Sequence, residues 1–335
     1  MKQLRVAVVG LGEFGRRYVG VLNALLGVTL AWGVDRNDDN RAQVEGVAER
    51  VTADLGDALA DEQLDAVFVV TPEAAHRDIA VAALEAGKHV VVEKPLAMDE
   101  ADGRDMLAAA EKSGRLLLPA LLLRFDYRYA QLAQRLDSIG TVRSLYAYRN
   151  FDRRLFGLYS RSHSLIENSI HDIDLLLWYV GEPVVAAHGF CRTTLGLENP
   201  DVNWGVLEFV GGAIGVVQTT WLYPPQAHED LQWNAGIHVM GDRGVLEVSN
   251  DARGFMAHTE DAGILLLDQT GWADIHGEPR GAFGAMLRHI AAVLRGETAY
   301  AGTTAAEAME GIRIAQQLVA DAQRRGDVPP SPAAS

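Results

Sequence analysis

The chain has 335 residues, 48% apolar and 22% charged, the balance of a globular protein of about two domains. Asp plus Glu outnumber Lys plus Arg by 45 to 30, a formal charge of −15. That argues against a nucleic acid or an anionic membrane as partner, since each calls for a basic face. A local basic pocket for an acidic small molecule stays open. The single cysteine, Cys191, allows no intrachain disulfide and no thiolate zinc site, and it fits a reducing compartment. The start, Met1–Arg5, runs directly into a strand-like segment, so no secretory leader is expected. The longest apolar run, Leu116–Leu123, is eight residues and contains Pro119, against the about 20 needed to cross a bilayer. A cytoplasmic protein is expected.

In chain order, Leu4–Val9 reads as a strand, Glu13–Leu26 as a helix and Val28–Val34 as a second strand ending at Asp35. Asn37–Arg50 is polar and helix-compatible. Asp65–Val70 is a third strand, stopped by Thr71-Pro72. Glu73–Ala86 is Ala-rich and helical, closed by Gly87. His89–Val92 is a strand stopped by Glu93-Lys94-Pro95. Asp99 caps a helix to Lys112, and Leu116–Leu123 reads as a further strand. These strands are continuous apolar runs, the pattern of a parallel sheet covered on both faces, so residues 1–122 read as a doubly wound α/β domain.

Beyond that point the pattern changes. Tyr127–Leu136 and Leu165–Tyr179 read as helices. Val206–Val210 and Ala213–Thr220 flank Gly211-Gly212, and Ile237–Met240 and Val245–Val248 flank Gly241-Asp242-Arg243-Gly244, each pair a hairpin. Ile264–Leu267 is a strand; Phe283–Leu294 and Thr304–Gln323 are helices. Residues 123–325 therefore read as an α+β domain with a large, mostly antiparallel open sheet. Residues 326–335, rich in Pro, Ala and Ser, read as a disordered tail.

Gly10-Leu11-Gly12-Glu13-Phe14-Gly15 is a G-x-G-x-x-G run between a strand and a helix, the context in which it signals dinucleotide binding. Gly10 permits the turn, Gly12 lets a pyrophosphate approach the helix N-terminus, and Gly15 lets helix and strand pack closely. Asp35, 20 residues after Gly15, is placed to accept from the adenosine-ribose hydroxyls. At about 4 Å it would repel a 2′-phosphate by roughly 4 kcal/mol per unit charge at an effective dielectric of 20. Arg36 offsets part of this, so NAD is expected and NADP stays open. Lys94 ends a buried strand, on the edge where open parallel sheets bind ligands; the plainer reading is a charged turn. Glu167, His171 and Asp174 stand at i, i+4 and i+7, one face of a single helix, where carboxylates can orient an imidazole acting as general base. A solvated acidic face, or a metal site on His171, are the alternatives; no other metal-ligand cluster is visible. Arg149, Arg153, Arg154 and Arg161 crowd a segment read either as a clamp for an anionic substrate group or as a solvated loop. His163 reads as a surface or pocket-rim residue.

Together these motifs resemble the Gfo/Idh/MocA oxidoreductases. The matching pieces are Gly10–Gly15, Asp35, Thr71-Pro72-Glu73-Ala74-Ala75-His76, Ala86-Gly87-Lys88-His89, Glu93-Lys94-Pro95, Arg124-Phe125-Asp126 and Ile170-His171-Asp172-Ile173-Asp174. The resemblance implies a Rossmann domain and a nicotinamide-dependent enzyme acting on the hydroxyl-bearing carbon of a sugar or cyclitol. It implies that Lys94 contacts that hydroxyl, that His171 is the base with Glu167 and Asp174 around it, and that the Lys94–Pro95 bond is cis. Glu13, Phe14, Arg36, Thr71, Pro72, His76 and Glu93 join the expected cofactor set; Arg124, Asp126, Arg153 and Arg154 join the expected substrate set. Two departures stand out. The family commonly has Asp where this chain has Glu167, and often a glycine pair where it has Ser160-Arg161-Ser162-His163-Ser164. Ketosugar reduction, NAD-recycling elimination or glycoside cleavage, and a non-catalytic sensor are the competing functions, the last opposed by the presence of both Lys94 and His171. Apolar residues on the second sheet lead us to expect a homo-oligomer, dimer or tetramer.

Overall fold

The computed structural model describes residues 3–159, 162–223, 233–250, 256–259, 263–266, 274–275 and 278–327. The chain divides into two compact units, and the division is discontinuous. One unit takes residues 1–126 and 271–309, the other 127–270 and 310–335. The single expected boundary after residue 122 is thus replaced by a chain that returns to its first unit late. Of the expected tail, residues 328–335 lie outside the described residues.

The first unit holds β1 (Leu4–Val9), α1 (Glu13–Ala24), β2 (Val28–Val34), α2 (Asp38–Ala42), β3 (Arg50–Thr52), α3 (Leu55–Leu59), β4 (Ala66–Val69), α4 (His76–Glu85), β5 (His89–Val92), α5 (Glu100–Ser113) and β6 (Leu117–Pro119). The strands form one parallel sheet in the order β3-β2-β1-β4-β5-β6, the doubly wound arrangement that reverses direction beside β1. Every residue of β4 is buried, as an apolar run without alternation predicts. Three expectations need correction. The 37–50 segment forms only the five-residue α2, because Asn37 caps it and the chain then turns into β3, an extra strand. The 116–123 run is a strand only over Leu117–Pro119, followed by a 3₁₀ turn, Leu122–Phe125; Pro119 has no N–H to extend the ladder. Finally, α10 (Ala282–Leu294), expected in the second domain, packs Phe283, Met286, Leu287 and Ile290 into the same core as Val6, Val8, Tyr18 and Leu22.

The second unit is built on α6 (Tyr127–Ala133), β7 (Val142–Asp152), α7 (Phe156–Tyr159), α8 (Ser164–Glu167), α9 (Ile170–Val180), β8 (Val184–Arg192), β9 (Val202–Phe209), β10 (Ile214–Tyr223), β11 (Trp233–Gly241) and β12 (Val245–Ser249). Its sheet runs β12-β11-β7-β10-β9-β8, antiparallel throughout except for the β7–β10 pair. Both expected hairpins form. β7 and β8 were not foreseen: β7 mixes Arg, Ser, Tyr and Asn with its apolar residues, a weak alternation to read from one sequence. Two short pairs also form, β13 (Met256–Thr259) with β14 (Gly263–Leu266) and β15 (Asp274–Ile275) with β16 (Glu278–Pro279); α11 (Ala305–Arg324) follows α10 and contains the point of division at 309/310.

One face of the second sheet is covered tightly. A Cβ added at Gly189 would lie 1.9 Å from the Leu318 carbonyl oxygen of α11, and one at Gly215 would lie 2.6 Å from Leu176 Cδ2 of α9. Glycine lets the α11 backbone approach the strand at Gly189 and makes room for the Leu176 side chain at Gly215. Gly189→Ala should destabilise the protein by about 1–3 kcal/mol, visible as a lowered urea midpoint; an unchanged midpoint would mean the helix can move aside freely.

Candidate active site

In the first unit, β1 delivers the glycine run to the carboxyl edge of the sheet. Gly10 has φ +91°, and a Cβ there would lie 2.4 Å from the Val70 carbonyl oxygen. A Cβ on Gly15 would lie 1.9 Å from the Gly10 carbonyl oxygen, whereas one on Gly12 would meet nothing within 4 Å. The outer glycines are thus required by packing, and the middle one faces open space. Gly12 is also the N-cap of α1, and no side chain caps that end, leaving first-turn N–H groups to face an anion. The Thr71 hydroxyl nearby is buried with no partner among the described residues; its methyl is 3.0 Å from where a Gly10 Cβ would sit. These features fit a dinucleotide pyrophosphate.

Asp35 is more occupied than its sequence position suggests. Its carboxylate accepts from the Leu11 N–H at 2.7 Å, the Asn37 N–H at 2.8 Å and Asn40 Nδ2 at 3.0 Å. A carboxylate offers about four acceptor positions, so capacity for a ribose hydroxyl remains while the group also staples the glycine loop. Arg36 is exposed. Glu13 pairs with Arg17 of the same helix at 2.9 Å, and Phe14 packs on Tyr18 of α1 and Phe283 of α10. Pro72 is the exposed N-cap of the 3₁₀ turn Glu73–Ala75.

His76 is only 1% exposed. Its Nδ1 lies 2.9 Å from the Pro95 carbonyl oxygen and its Nε2 3.0 Å from that of Thr71. The ring therefore ties together the segments that follow β4 and β5 and has no nitrogen left for a cofactor. Burial lowers its pKa, against the pull of the two carbonyls. Glu93 plays a similar part: it accepts the Tyr18 hydroxyl at 2.5 Å and the Lys94 N–H at 2.9 Å. Burial pushes this carboxyl above its ordinary range, opposed by Tyr18 and Lys94. The Lys94–Pro95 peptide is cis, as the resemblance implies. Tyr18, which sequence reasoning missed, carries one signal: it lies three residues past Gly15, on the face of α1 turned to the sheet.

Arg124 is buried and donates to Glu307 at 3.2 Å, and Asp126 is 2% exposed. The Arg124–Glu307 pair lies within the first unit.

In the second unit, the expected single helix over 165–179 is two. α8 ends at Glu167, and α9 begins at Ile170. The Ser169 N–H reaches back five residues to the Ser164 carbonyl at 2.9 Å, widening the turn. The Ser169 hydroxyl lies 2.7 Å from Thr219 Oγ1, and Ser164 Oγ accepts from Trp221 Nε1 at 2.9 Å, so each short helix is pinned separately to β10. The i, i+4, i+7 argument therefore holds for His171 and Asp174 alone. Glu167 is fully buried, and its Oε2 accepts from the Ser162 N–H at 3.2 Å and the Ser162 hydroxyl at 3.4 Å.

The arginine-rich segment is not one loop. Arg149 is buried in β7 and makes a bidentate pair with Asp172 of α9, Nε to Oδ2 at 3.0 Å and Nη2 to Oδ1 at 2.9 Å. Burial alone would lower the Arg149 pKa; the Asp172 charge more than reverses it. This pair fixes the residue next to His171. Arg154 donates to Asp152 at 2.8 Å, Arg153 is exposed, and Arg161 lies outside the described residues. Among the described residues, no group of three or more His, Cys, Asp or Glu could hold a metal. Asp172→Ala would strand a buried guanidinium and should cost about 3–5 kcal/mol, measurable by chemical denaturation; a loss below about 1 kcal/mol, the range of exposed pairs, would show that Arg149 finds another partner.

Residues 4–121 match the profile of an oxidoreductase family with an NAD-binding Rossmann fold, and residues 129–247 match the GFO/IDH/MocA C-terminal domain. The chain is 30% identical over 240 residues to scyllo-inositol 2-dehydrogenase (NAD(+)) of Bacillus subtilis (strain 168), covering 66% of this chain and 68% of that one. It is 30% identical over 256 residues to inositol 2-dehydrogenase of Salmonella typhimurium (strain LT2), covering 73% and 74%. Among solved structures it is similar to GenD2 from gentamicin A biosynthesis in complex with NAD, with a TM-score of 0.81, 25% identity, and coverage of 96% of this chain and 95% of that one.

Proposed function

Because the chain belongs to the GFO/IDH/MocA family of NAD-binding oxidoreductases, we propose that it oxidises a secondary hydroxyl of a cyclitol or related polyol reversibly to the ketone, with Lys94 and His171 as its catalytic residues. The observation that carries this reading is Lys94 itself, its main chain held by Glu93 and the carbonyl of the next residue, Pro95, held by His76, on the sheet edge that also bears the glycine cradle. The names of the two inositol dehydrogenases support a cyclitol as substrate class. NAD⁺, when bound, supplies the acceptor for the hydrogen that leaves the carbinol carbon with its electron pair. The Lys94 ammonium donates to the substrate oxygen and stabilises the charge that grows there. His171 takes the hydroxyl proton. Asp174, one helical turn on, orients base or substrate, and Glu167 holds the preceding segment in place. Gly10, Gly12, Gly15, Thr71 and Asp35 hold the dinucleotide.

Incubation with NAD⁺ and a panel of inositols and other polyols should raise absorbance at the NADH band. His171→Ala should cut turnover by roughly 10²- to 10⁴-fold while leaving NAD⁺ affinity close to that of the unaltered protein. Undiminished turnover in that variant would remove His171 from the mechanism.

The face of the second sheet away from α9 and α11 supports a homo-oligomer. Tyr146 stacks on Trp204 with ring centroids 6.1 Å apart, and Tyr146 and Tyr148 both lie against His238. Such an aromatic patch on a sheet suits pairing with a second copy. Trp204→Asp should weaken self-association by about 30-fold or more, read by sedimentation velocity over a concentration series; an unchanged species would place the contact elsewhere. The cytoplasm is the proposed location, in keeping with a lone Cys191 whose thiol burial pushes up to about 12.

A further inference from the structure

Tyr18 carries a buried hydroxyl that packing does not require. Its ring lies among other aromatic rings of the first core. Phe283 meets it edge-on with centroids 4.9 Å apart, and Phe14 and Phe68 lie at 5.9 Å and 6.1 Å. Phenylalanine would fill the same space, and a phenol oxygen in an apolar core costs free energy unless it finds a partner. That partner is Glu93, whose Oε1 accepts the hydroxyl at 2.5 Å, a distance typical of an O–H group bonded to a carboxylate. Burial and the Glu93 charge both push the Tyr18 pKa up, so the phenol keeps its proton and stays the donor.

Glu93 stands where β5 leaves the sheet. Its own N–H still donates to the Val69 carbonyl of β4 at 3.0 Å. The next N–H, that of Lys94, donates instead to Glu93 Oε2 at 2.9 Å. The two oxygens of one carboxylate thus join α1, the helix that begins at the Gly12 cradle, to the main chain of Lys94. The last torsion of a glutamate side chain is soft; with Oε1 held by Tyr18, Oε2 is aimed at the Lys94 N–H. On the far side of Lys94, His76 meets the Pro95 carbonyl at 2.9 Å.

We propose that Tyr18 is a positioning residue for the reaction: through Glu93 it fixes the main chain of Lys94, and with it the point from which the ammonium reaches the substrate oxygen. This rests on the dehydrogenase reading above and adds to it a residue that acts through another. A reacting group displaced by a fraction of an ångström loses turnover, so a site depends on the groups that support it.

The test is a double-mutant cycle on the best polyol of the panel, with amide hydrogen exchange read by NMR alongside it. Tyr18→Phe removes one oxygen and keeps the ring. It should lower kcat about 5- to 50-fold, with NAD⁺ affinity within about twofold. In a Glu93→Ala background the same substitution should change kcat by less than about twofold, since the link it breaks is already gone. In Tyr18→Phe the Lys94 amide should exchange about tenfold faster than in wild type, while the Glu93 amide, bonded to Val69, keeps its rate. This second readout needs no substrate and stands if Glu93→Ala does not fold. Wild-type kcat in Tyr18→Phe, an equal loss in both backgrounds, or an unchanged Lys94 exchange rate would overturn the inference and leave the dehydrogenase standing. Wild-type protein that reduces no NAD⁺ with any polyol would overturn the dehydrogenase reading and this inference with it.

Discussion

The carboxyl edge of the first unit's sheet depends on carboxylates and an imidazole that bind main chain. Glu93 holds the Lys94 N–H, Asp35 holds the Leu11 N–H, and His76 meets the Thr71 and Pro95 carbonyls. Loops at the carboxyl end of a parallel sheet run past the last ladder hydrogen bond, so their polar backbone groups need other partners. Here those partners are side chains from neighbouring elements, and the loops that bear Gly12, Thr71 and Lys94 are fixed to one another. A site on such loops gains the definition that sites on helices and strands have by default.

The same solution appears in the second unit with different groups. Asp172 and Arg149 bind each other across α9 and β7, and Ser169 and Ser164 pin two short helices to β10. A bidentate carboxylate–guanidinium pair has a definite geometry as well as a strength. It sets the rotation of α9 about its axis, and with it the direction of His171, its immediate neighbour. The break between α8 and α9 releases Glu167 from that rotation. In this separate short segment the Glu167 carboxylate turns back to Ser162.

The two faces of the second sheet show how composition divides labour. Gly189, Gly205 and Gly215 lie where Leu318 and Leu176 approach the strands, and α9 and α11 cover that side. On the opposite side Tyr146, Tyr148, Trp204 and His238 form a continuous ring cluster. Period-two alternation along β7 and β9 is what separates the two sets.

Local patterns were enough to read the parallel sheet, the glycine turn, Asp35 at the end of β2 and Lys94 at the end of β5, because each depends on a few adjacent residues: apolar runs, a turn that only glycine permits, a proline that stops a strand. The two hairpins of the second sheet were legible for the same reason. Pairings between residues far apart in the chain were not. Tyr18 with Glu93, Arg149 with Asp172, Ser169 with Thr219 and the return of α10 to the first core are all contacts at long separation, and nothing near either partner announces the other. The helix over 165–179 shows the limit most plainly, since its apolar period is real on both sides of Asn168. Only the hydroxyls of β10's neighbours decide that the turn opens there, and so whether Glu167 shares a helical face with His171. Residue type and order determined which chemistry this chain can perform; burial and hydrogen bonding in the folded protein decided which of its charged groups are left to perform it.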